Sequence, residues 1–167
     1  RQRQMCIRDR YIADTLKEFS YRVPFATHKP AIVIGSSGLI PRAWHWSYLR
    51  HGAPQVHGRF ERMHERRMTE EDWAAWVAMR AVAEALVRFQ DNENFSFRNA
   101  FIDELFKLDG SKGPILNFRP WNRQLRQPIM LSTENWVTSI APLNSFVHRE
   151  NNLDTIGMDN KTSKCAN

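Results

Sequence analysis

Two serines held between glycines, Gly35-Ser-Ser-Gly38, stand directly after the β-branched run Ile32-Val-Ile34 and shortly before Pro41. The run follows Pro30 and reads as a buried strand with a proline at its edge. Pro41 suits the first turn of a helix, where its missing N–H costs nothing. A strand that ends in a polar glycine turn and feeds a helix is the local form of an α/β crossover. Open α/β sheets bind ligands beyond the carboxyl ends of their strands. Ser36 and Ser37 are therefore candidate ligand contacts, against the plainer reading that their hydroxyls only satisfy the turn.

Other chemistries are less well served. A nucleophile elbow, Gly-x-Ser-x-Gly, would need glycine at 39, where Leu39 stands. His45 lies close enough in sequence to act as a base, but spacing assigns it no acid partner. A phosphate loop would need a lysine that the Gly35-to-Gly38 turn lacks. The histidines (His28, His45, His51, His57, His64 and His148) include no pair three or four apart on a helix with a third ligand near it. No catalytic set, metal set or cofactor is assigned.

The elements around the turn follow from periodicity and caps. A helix over 41–51 carries Trp44, Tyr48 and Leu49 and ends at Gly52, where glycine accepts the left-handed conformation. Phe60, Met63 and Arg67 predict a further short helical turn. Thr69-Glu-Glu-Asp72 reads as an N-cap with acidic side chains at the positive end of the helix dipole. The helix over 70–89 is apolar on most sides, with Arg80, Glu84 and Arg88 as one polar ridge, and is expected to pack against more than one neighbour. Ser96 caps another helix, with Phe97, Phe101, Leu105 and Leu108 on one row. Strands are expected over 115–118, 129–133 and 136–140, with Glu134-Asn135 as a hairpin turn. From Ala141 onward the chain reads as polar and irregular, ending in a disordered tail.

At 167 residues, 42% hydrophobic and 25% charged, the composition is that of a globular chain. No apolar run is long enough for a transmembrane helix. The formal net charge of +6 would allow an acidic partner. However, the arginines between Arg42 and Arg67 are interleaved with Glu61, Glu65 and histidines, which argues against nucleic acid. Cys6 and Cys165 fit no zinc spacing. Residues 5–10, Met-Cys-Ile-Arg-Asp-Arg, look like a translated transposon-end sequencing adaptor, so 1–10 are read as an artefact and an upstream signal peptide or domain is expected to be missing.

Several motifs in one order resemble the substrate-binding proteins of the type I periplasmic, branched-chain amino-acid class. Gly35-Ser-Ser-Gly38 matches their glycine-bracketed ligand turn, Asp72-Trp-Ala-Ala-Trp76 a helix start, and Asp109-Gly-Ser-Lys-Gly-Pro-Ile-Leu-Asn-Phe118 a glycine-rich strand. Gly38-Leu-Ile-Pro-Arg-Ala-Trp-His-Trp46, Met68-Thr-Glu-Glu-Asp-Trp-Ala-Ala-Trp76, Phe118-Arg-Pro-Trp121, Leu125-Arg-Gln-Pro-Ile-Met-Leu131 and Asn151-Asn-Leu-Asp-Thr-Ile-Gly157 are similar to members encoded with pyrroloquinoline-quinone-dependent alcohol dehydrogenase systems.

The resemblance implies an α/β fold, periplasmic binding protein-like I, of which this chain holds the C-terminal portion of two lobes. Residues 11–67 would belong to one lobe, 68–108 to helices of the other, 109–147 to hinge-crossing strands and 148–167 to an irregular tail. It implies a periplasmic solute-binding component of an ABC-type importer, partnered by an ABC permease and not an enzyme. Ser36, Ser37, Gly38 and Trp73 would be its ligand-binding residues. The branched-chain amino-acid binders carry a glutamate where Ser37 stands. A hydroxyl forgoes that charge-assisted bond to an amine, worth roughly 1.5–3 kcal/mol. The resemblance therefore implies a small polar neutral ligand, an alcohol or its oxidation product. A periplasmic sensor or accessory protein of the quinoprotein system is the alternative, and a serine hydrolase the third.

Overall fold

Thr69 opens the longest helix with a reciprocal cap: the Thr69 N–H donates to the Asp72 carboxylate at 2.9 Å, and the Asp72 N–H donates to the Thr69 hydroxyl at 3.4 Å. Arg66 donates to the same carboxylate at 2.8 Å. That guanidinium, helped by Thr69, holds the Asp72 carboxyl well below the usual carboxylate range. Replacing Thr69 by alanine removes the cap and is expected to cost about 1 kcal/mol. Urea unfolding checks this, with Thr69→Ser as the variant that keeps most of the stability. An unchanged midpoint in Thr69→Ala would show that the cap contributes nothing.

The computed structural model describes residues 9–14, 20–29, 31–35, 40–93, 95–103, 105–144 and 147–159. Among them are three helices, α1 (Ala53–His64), α2 (Glu70–Phe89) and α3 (Phe97–Ile102). Three small sheets accompany them. The first pairs β1 (Asp9–Ile12) in parallel with β2 (Ile32–Gly35). The second is antiparallel, with β7 (Ile129–Ser132) between β3 (Ile40–Arg42) and β8 (Val137–Ala141). The third is also antiparallel, with β5 (Ile115–Phe118) between β4 (Leu108–Asp109) and β6 (Leu125–Arg126). The mixture of helix and sheet is compatible with an α/β fold. Among the described residues no helix is long and apolar enough to cross a membrane.

The core lies where α2 meets the strands, through Trp73, Val77, Ala81 and Ala85 on one row, with Trp44, Tyr48, Phe106, Leu108, Leu116 and Met130 around them. Small residues in the second half of that row let the helix approach closely. Its other apolar side is open, with Met79 and Val87 69% and 75% exposed, rather than packed as its composition predicts.

The cap at Ser96, strand 115–118 and the hairpin turn at Glu134-Asn135 stand as expected, the turn closed by Thr133 N–H donating to the Trp136 carbonyl at 2.8 Å. Other expectations are corrected. Residues 40–42 form an edge strand, not the start of a helix, and an edge tolerates the N–H that Pro41 lacks. Gly52, with φ 84°, precedes the helix at Ala53 instead of ending one, and Pro at its first turn supplies the start signal. The short turn expected near Phe60 is the end of this twelve-residue helix. Leu105 and Leu108 fall outside α3, which stops at Ile102. β2 is largely exposed where a buried strand was expected. Residues 152–155 form a 3₁₀ turn with Leu153 and Asp154 buried, within a segment expected to be irregular.

Candidate functional site

Parallel pairing of β1 and β2 sets Ile12 beside Gly35, so both strands end at one edge. Gly35 has φ 99°, and a Cβ there would run into the Ile12 carbonyl, so only glycine lets the two ends close. Asp14 continues the same edge from β1, is buried, and its carboxylate accepts from the Ser20 N–H at 2.9 Å. Ser36, Ser37 and Gly38 follow Gly35 in sequence but lie outside the described residues. Two of the four β1 residues, Asp9 and Arg10, belong to the stretch that reads as adaptor-derived.

Trp73, the remaining expected ligand contact, sits in the core with 1% of its surface exposed. Its ring stacks on Trp44 at 6.1 Å between centroids, and its indole N–H donates to the Gly110 carbonyl at 3.1 Å. Gly110 has no room for a side chain, because a Cβ would meet Leu116 and the Trp73 ring. Faces and polar handle of Trp73 are thus committed to protein.

Lys112 lies over the same ring, its Nζ 3.5 Å from the centroid. Ser111 and Gly113 on either side have φ 56° and 107°, a tight reversal at the lysine. Only 1% of the residue is exposed. The amine donates to Gln127 Oε1 at 2.6 Å and to the Pro128 carbonyl at 3.4 Å. Burial pushes this amine down to about 7, against the opposing pull of Glu70. Two acceptors match the two hydrogens of a neutral amine. Nothing in the local sequence pattern marks this lysine as an inward one.

His45 is paired with Ser47 rather than left open. The Ser47 N–H donates to His45 Nδ1 at 3.2 Å, which makes that nitrogen the acceptor, so the Ser47 hydroxyl donates to it across 2.8 Å. Nε2–H then donates to the Glu134 carbonyl at 3.2 Å. Burial lowers the His45 pKa, and the nearby Arg42 and Arg67 add to the effect. Ser47 borders a shallow recess of about 340 Å³ with Tyr48, Arg50, Trp136 and Ser139. Among the described residues no group of three or more His, Cys, Asp or Glu is placed to hold a metal ion.

A second buried polar cluster ties the segment 148–159 to β6 and the β5–β6 turn. The Asp154 carboxylate accepts from Arg119 Nε at 2.7 Å and from Arg126 Nε at 2.8 Å. Arg119 Nη2 also donates to the Leu153 and Ile156 carbonyls at 2.9 and 2.6 Å. Burial alone would raise the Asp154 carboxyl, but the bonds from Arg126 and Arg119 outweigh it and hold the group below the usual carboxylate range. Beside this clasp, residues 150–153 form one wall of a cleft of about 600 Å³; Pro114, Ile115, Pro128, Ile140 and Pro142 are among those lining the rest.

No family model, no curated protein and no solved structure matches this chain.

Proposed function

We propose that this chain is part of the solute-binding component of an ABC-type importer, in the architecture of the type I periplasmic binding proteins, and that it holds a small neutral polar molecule, an alcohol or its oxidation product. The observation that supports this reading is the parallel β1–β2 pair, whose carboxyl ends meet at Ile12 and Gly35. Ligands of open α/β sheets sit beyond such ends, and the next residues in sequence are Ser36 and Ser37. Hydroxyls there donate and accept without demanding a charged partner, which suits an alcohol or aldehyde better than a zwitterion. The ordered set of motifs that resembles those of the quinoprotein-associated binding proteins supports the same ligand class. Periplasmic location and a permease partner belong to the same proposal.

A thermal-shift series on the full-length protein with alcohols, aldehydes and amino acids tests it. A bound ligand at a hundredfold excess over its Kd is expected to add about 2.7 kcal/mol of stability. Ser37→Ala is expected to lose much of the resulting rise in Tm. If no alcohol or aldehyde raises Tm, or an amino acid alone does, the proposal fails.

A further inference from the structure

The 600 Å³ cleft beside the Arg119–Asp154–Arg126 clasp is distant in sequence from the Ser36–Ser37 turn and has chemistry of its own. Three prolines (Pro114, Pro128 and Pro142), with Ile115, Ile140 and Leu153, give it apolar walls. Its volume falls within the range of small-molecule sites. The polar side is carried by Glu150, Asn151 and Asn152. Asn151 is committed, since its Oδ1 accepts from the Leu153 N–H at 3.0 Å. Glu150 is different: among the described residues its carboxylate has no ion-pair partner, although the chain as a whole carries a net charge of +6. Arg119 and Arg126, in the clasp beside the cleft, are both engaged by Asp154.

A cleft with apolar walls and one carboxylate without an ion-pair partner in its polar lining suits an organic cation with a hydrophobic body. We propose that this cleft is a binding site for a small primary amine, its hydrocarbon part against Pro114, Ile140 and Leu153 and its ammonium group at Glu150. The clasp makes the site durable, because it fixes Leu153 and Asp154 and with them the wall formed by residues 150–153. Lys112 bears on the same site from behind, where its amine occupies the Pro128 carbonyl. That leaves Glu150 as the cleft's anionic group.

The test is a titration of the full-length protein with benzylamine, benzyl alcohol and benzoate at pH 7, followed by the methyl resonances of Ile115 and Ile140. Benzylamine is expected to shift both and to bind roughly fivefold more tightly than benzyl alcohol, the scale of an ion pair open to water. Benzoate is expected to bind least. Glu150→Gln, an exposed substitution that leaves the clasp intact, is expected to bring benzylamine to the level of the alcohol. Equal binding of the amine and the alcohol by the unaltered protein, a preference that survives Glu150→Gln, or shifts confined to other methyl groups would each overturn the proposal. Ser37→Ala is expected to leave benzylamine binding unchanged, so the two sites stand or fall separately.

Discussion

Asp154→Ala is expected to destabilise the protein by about 3–5 kcal/mol, because it strands two buried guanidinium groups at once. The Arg119 and Asp154 side chains are each 4% exposed and the Arg126 side chain 12%, so little water reaches the charges left behind. Arg119→Ala is expected to cost a similar amount, since it frees the carbonyls of Leu153 and Ile156 as well as the carboxylate. Urea unfolding of the two variants and their double mutant measures both the cost and the coupling. The double mutant is expected to lose less than the sum of the singles, as groups in one network do. A loss under about 1 kcal/mol in Asp154→Ala would show that the cluster is solvated in solution. Its pH dependence has a defined sign. The folded-state pKa of Asp154 is depressed, so its contribution is present above the unfolded carboxylate range and is lost as pH falls through the folded value.

Lys112 gives the second large effect, with a dependence of the same sign in a more alkaline window. Its folded pKa of about 7 lies below the ordinary 10.5, so between those values the unfolded chain binds a proton that the folded chain does not. Stability therefore rises with pH across that window, by about 1.4 kcal/mol per pH unit, and levels off above it. Comparison with Lys112→Met isolates the effect: the stability of the natural protein minus that of the variant is expected to climb steadily from pH 7 to 10. The difference is the useful quantity, because methionine also forgoes the bonds to Gln127 and Pro128 and its absolute stability mixes both changes. A difference that stays flat over that range would mean that the amine remains charged where it lies, held by Trp73 and the two oxygens.

What could be read from the sequence divides along a physical line. Thr69, Ser96 and strand 115–118 were legible because caps and short apolar runs act over a few residues. Pro41 was misread because proline suits both a helix start and an edge strand, and the choice depends on pairing with Leu131, ninety residues away in sequence. Gly52 was ambiguous for a related reason, since a left-handed glycine can precede a helix as well as follow one. The clasp gave no local signal. Asp154 finds its partners 35 and 28 positions back, and the sequence around it is as polar as a tail. Trp73 shows the limit for the candidate site. A tryptophan at a helix start reads equally well as a ligand shelf or as core, and the carbonyl that takes its N–H comes from Gly110, beyond the reach of periodicity. The Ser36–Ser37 turn remains a reading of the residues themselves, supported by the pairing of β1 with β2 just before it.

Gly110 has a consequence for how this chain can vary. Its missing side chain, the Leu116 methyl group and the edge of Trp73 occupy one shared volume, and the Gly110 carbonyl is spoken for by the same tryptophan. Any larger residue at 110 therefore requires a smaller one at 116 or a different ring at 73. Among sequences that diverge from this one, those three positions are expected to change together or not at all.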